Sequence, residues 1–140
     1  MFETIKILHF AGIILGFGGG IGNAVAAARL ATLPPETGPI VGGFRAALGH
    51  ISTLGIVILW LSGIALINMR GNQEILSDQV FQLKLAAVII LTGFSLVANL
   101  TVLAAKKAGA PPDPKRMELV GKGAMISAAI ALILAVMAFN

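Results

Sequence analysis

Four stretches of the chain, about residues 5–30, 44–67, 80–105 and 119–139, run almost without charge. At about 1.5 Å of rise per residue, some 20 apolar residues in a helix cross the roughly 30 Å hydrocarbon core of a bilayer, and each stretch is long enough. Helix-breaking or polar groups separate them. Pro34-Pro35-Glu36-Thr37-Gly38-Pro39 is expected to form a loop, since proline lacks an N–H and clashes with the preceding turn. Asn68-Met69-Arg70-Gly71-Asn72 ends the second stretch with a glycine suited to a C-cap. Ser77 is expected to cap the third, with Asp78 in its first turn favouring the helix dipole. Lys106-Lys107 marks a headgroup boundary, and a third loop from Ala108 to Arg116 contains Pro111-Pro112-Asp113-Pro114. Connections this short favour antiparallel neighbours. The expected fold is therefore all-α, an integral membrane up-and-down four-helix bundle forming one domain over residues 1–140.

Composition strengthens this picture. Hydrophobic residues make up 57% and charged residues 11%, with a mean hydropathy of +0.95, a balance that a soluble domain of 140 residues could not hide from water. The segment Met1 to Lys6 holds a single Lys, and the apolar run after it is too long for a signal-peptide core, so the first stretch is expected to stay as a span. The net charge of +4 comes from residues clustered near the loops. Arg29, Arg45, Lys106, Lys107, Lys115, Arg116 and Lys122 lie around loops one and three, against Lys6 and Arg70 on the other side. The positive-inside rule then puts those loops in the cytoplasm and both termini on the outer side of a bacterial-type inner membrane. Such placement is a signature of topology and lipid contact, and nucleic acid is not an expected partner.

Polar groups in lipid are costly, so the ionisable residues inside the spans, His9, His50 and Lys84, are the candidates for chemistry. By the helical rise, His9 lies roughly 12 Å outward of the middle of span one, and Lys84 about as far outward in span three. His50 lies roughly 9 Å inward of the middle of span two, so the two histidines do not form a natural axial pair. A neutral imidazole is a good haem ligand, and an amine in a low-dielectric site can ligate or transfer protons. His9 is thus the expected metal ligand, with Lys84 beside it as ligand or proton donor. His50 has local hydroxyl partners in Ser52 and Thr53, and Arg45 nearby disfavours a second positive charge. Gly12, Gly16 and Gly20 recur at four-residue spacing, with Gly18, Gly19 and Gly22 around them; small residues in register admit a second helix or a flat ligand. Gly12, three residues after His9, is the one placed to clear a ring beside it. Asn23, Asn68 and Asn99 are expected to hydrogen-bond between helices or cap them.

Other chemistries find no support. There is no cysteine, which excludes thiolate metal sites and cysteine nucleophiles. No carboxylate lies deep in a span, the methionines lack a repeated spacing, and no phosphate loop, zinc spacing or nucleophile elbow is present.

Lys6-Ile7-Leu8-His9-Phe10 and Gln82-Leu83-Lys84-Leu85 resemble the signatures of the HemJ-type protoporphyrinogen oxidases and the wider CopD-like group of small four-span membrane proteins. In the former the first-span histidine and third-span lysine are tied to haem binding and activity, and they match His9 and Lys84. The aromatic and proline-arginine stretch of that family's first span is replaced here by Gly18-Gly19-Gly20-Ile21-Gly22-Asn23-Ala24-Val25, with the basic residue only at Arg29. The resemblance implies haem b as cofactor and porphyrin oxidation or electron transfer as function. The alternative is a cofactor-free accessory subunit whose glycine faces dock against a larger membrane complex. The expected partners are the lipid bilayer and either further copies of the chain or that complex.

Overall fold

The computed structural model describes residues 1–30, 32–70 and 77–137. Among them the chain is helical with no strand, in four long helices: α1 (Phe2–Leu30), α2 (Gly38–Arg70), α3 (Gln79–Ala108) and α4 (Pro114–Met137), with one turn of 3-10 helix at Pro35–Thr37 leading into α2. All four are long and apolar enough to cross a membrane, which makes this a multi-pass membrane protein. They fall into two compact units, Met1–Gly71 and Asn72–Asn140, and each is described by itself.

Every helix begins before the stretch the hydrophobic pattern marks, and first-turn chemistry explains the starts of α2, α3 and α4. Pro39 lies in the first turn of α2, and Pro114 is the first residue of α4. In a first turn the missing N–H has no intrahelical partner to lose, so a proline read as a breaker becomes a starter. At α4 the Asp113 side chain accepts from the Lys115 N–H (3.1 Å). At α3 the cap is Asp78 rather than Ser77: its backbone is extended and its carboxylate accepts from the Val80 N–H (3.1 Å). An aspartate in that position meets both the unpaired N–H and the positive end of the helix dipole. Helix α3 ends in a Schellman turn, in which Gly109 takes φ 67°, its N–H bonds the Lys106 carbonyl (3.3 Å), and the Ala110 N–H bonds that of Ala105 (3.1 Å). The expected cap at Gly71 and the end of the fourth span at residue 139 lie outside the described residues.

In the first unit α1 and α2 are antiparallel neighbours meeting along a seam of small residues. The observed contacts pair Gly12 with Gly55 and Leu59, Gly16 with Ser52 and Gly55, Gly19 with Leu48 and Ser52, and Asn23 with Arg45. Positions 12, 16, 19 and 23 alternate steps of four and three, as in a heptad seam, and so do 45, 48, 52, 55 and 59 on α2. Gly20, which the four-residue spacing groups with Gly12 and Gly16, has open space around it. Two four-residue steps rotate a side about 80° off the starting face, whereas the four-three alternation keeps it in place. Approach is close because the seam has little side chain: a Cβ at Gly19 would meet the Leu48 carbonyl oxygen at 3.0 Å. In the second unit α3 and α4 pair, with the Phe94 ring lying over Gly123 and Ala87, Val120, Ser127 and Ala135 buried.

Candidate functional site

The seam fixes the register that brings His9 opposite Ser62, 53 residues later in the chain. His9 Nδ1 lies 2.9 Å from Ser62 Oγ. Ser62, only 5% exposed, also lies 2.6 Å from the Ile58 carbonyl oxygen. A carbonyl only accepts, and a hydroxyl has one proton, so the short contact assigns that proton to the Ile58 carbonyl. Ser62 Oγ therefore accepts from His9 Nδ1–H, and in the neutral form of the ring that tautomer carries its lone pair on Nε2. The ring lies beside Gly63, where an added Cβ would be in ordinary contact with it, 3.6 Å from Cε1. Chemically this is an imidazole with its tautomer and plane fixed by a partner behind it, the arrangement found behind metal-ligating histidines.

Gly12 is buried, and the space its missing side chain leaves is taken by the Gly55 carbonyl oxygen (3.0 Å from an added Cβ) and by Leu59. Its role in this unit is to let α2 close on α1, which holds Ser62 level with His9. His50 is exposed on α2, facing away from the seam residues Leu48 and Ser52 on either side of it. Lys84 lies half-buried in the second turn of α3, three residues before the buried Ala87, in the second unit. Of the asparagines, Asn23 accepts from Arg45 Nε (3.0 Å) and joins α1 to α2, while Asn99 donates to the Ser95 carbonyl of its own helix (2.9 Å). Among the described residues no three His, Cys, Asp or Glu side chains come together.

Ser62 and Gly63 are the positions that sequence reasoning passed over. Neither has a local signal, since a serine and a glycine are ordinary in a membrane helix. Only the spacing 45-48-52-55-59, continued by one more step of three, points to 62.

No known protein family, curated protein or solved structure matches the chain.

Proposed function

We propose that this chain is a protein of a bacterial-type inner membrane, with both termini outside, that binds one haem b near the outer face through His9 and serves porphyrin oxidation or electron transfer. In this reading Lys84 would supply a further ligand or a proton. The observation that carries the reading is the hydrogen-bond chain from His9 Nδ1 through Ser62 Oγ to the Ile58 carbonyl. Haem iron takes a neutral imidazole nitrogen, and a ring whose other nitrogen donates to a fixed acceptor is both oriented and more basic. The likeness of the segments around His9 and Lys84 to the HemJ-type signatures supports the same pair. Haem, when bound, supplies one-electron chemistry at its iron. The chain's own residues hold and orient the imidazole, and the Lys84 amine would be the proton carrier of this reading.

The test is the visible spectrum of the purified protein. A Soret band is expected, lost in His9→Ala and kept in Ser62→Ala with haem affinity reduced about 10–100-fold, the usual cost of removing an outer-shell partner. Absence of the band, or its persistence in His9→Ala, overturns the proposal. One observation favours a second reading, a cofactor-free accessory subunit: the His9–Ser62 bond by itself joins α1 to α2 and gives both side chains a packing role. That subunit would copurify in mild detergent with a larger partner at fixed stoichiometry, and without colour.

A further inference from the structure

At the loop end of the first unit, far along the seam from His9, α1 and α2 diverge around an open groove of about 460 Å³. Its walls are Gly22, Val25 and Ala26 from α1 and Val41 and Phe44 from α2, and its rim is Arg29. Arg29 is exposed, in the last turn of α1. The ion pairs among the described residues are Lys6–Glu3 and Lys122–Glu118, so Arg29 has no carboxylate partner there, and Glu36 in the same connection does not pair with it. Arg45, next to Phe44, is tethered by its Nε to Asn23. The groove thus combines an apolar trough with an unneutralised guanidinium at its mouth, at the end of a span where headgroups begin. Water is a poor occupant of so apolar a trough.

We propose that this groove is a binding site for an anionic phospholipid of the surrounding bilayer. One acyl chain lies against Val25, Val41 and Phe44, and the phosphate meets the Arg29 guanidinium. The planar fork of arginine suits a phosphate bidentately, and basic pockets between spans are the places where acidic headgroups collect. Arg45, with its Nε already held, adds positive charge beside the site. The proposal does not depend on the cofactor reading, since every residue in it lies at the opposite end of the unit from His9.

Trp60 is the only tryptophan, which makes the test direct. In a Trp60→Phe, Phe44→Trp protein reconstituted in phosphatidylcholine vesicles, quenching by brominated phosphatidylglycerol is compared with quenching by brominated phosphatidylcholine. The expected result is about fivefold tighter apparent binding of the anionic lipid at position 44, the factor that one arginine near a headgroup supplies. Arg29→Gln in the same background removes the preference and Arg29→Lys keeps most of it. Trp60 of the otherwise unchanged protein, toward the other end of α2, shows no preference, which confines the effect to the loop end. Equal quenching by the two lipids, or a preference that survives Arg29→Gln, overturns the proposal.

Discussion

At Gly55 an added Cβ would fall 2.7 Å from the Gly16 Cα and 2.8 Å from the Gly12 carbonyl oxygen. Those are backbone atoms, so a larger residue can be accommodated only if the two helices part. Gly55→Ala is expected to destabilise the first unit by about 1–3 kcal/mol, the usual range for overpacking, as measured by the unfolding midpoint in a denaturing-detergent titration. Gly49→Ala, on the same helix with open space around it, should lose nothing and gain up to about 1 kcal/mol from helix propensity. Gly123 is an intermediate case: an added Cβ would lie 2.5 Å from Phe94 Cζ, but that is the tip of a side chain that can turn aside. Gly123→Ala should therefore cost less than Gly55→Ala in the same titration. His9 could be picked out from the chain alone because a histidine in an apolar stretch is unusual. Ser62 could not, because its meaning depends on a register that only the folded pair of helices defines.

Helices were the legible level, since runs of more than 20 apolar residues admit few alternatives. Their ends were less so. The segment 111–114 reads as a loop along the sequence and Asp78 as a first-turn residue behind a Ser77 cap, yet Pro114 starts a helix and Asp78 and Asp113 cap two, because the groups they lack or supply are those a first turn leaves unpaired. Asp78→Ala is expected to cost about 1 kcal/mol and to speed amide exchange in the first turn of α3, with Asp78→Asn restoring most of the protection. The glycines of α1 announced a close contact, but the repeat that governs it is seven residues long. It becomes visible only when α2's Leu48, Ser52, Gly55 and Leu59 are set against it, residues too mixed in kind to stand out as a motif.

For the whole molecule the sequence supplied the number of spans, and its basic residues raise the expectation of an orientation. The absence of cysteine allows that orientation to be measured: Thr37→Cys and Ala110→Cys are expected to react with an impermeant maleimide only from the cytoplasmic side, and Glu3→Cys and Ser77→Cys only from the outer side. Labelling of Thr37→Cys from outside would reverse the topology. What two sites on different units do together is beyond a pattern of hydropathy, which constrains depth and says nothing about azimuth; Lys84 is such a case. At 33 residues α2 is about 50 Å long by its rise, against a hydrocarbon slab of roughly 30 Å. A rod that exceeds its slab leans or protrudes, and α1, fastened to it glycine by glycine, shares whichever it does. A thinner membrane is expected to increase that lean or protrusion while the gap between the two rods stays constant, and so to change the depth of His9.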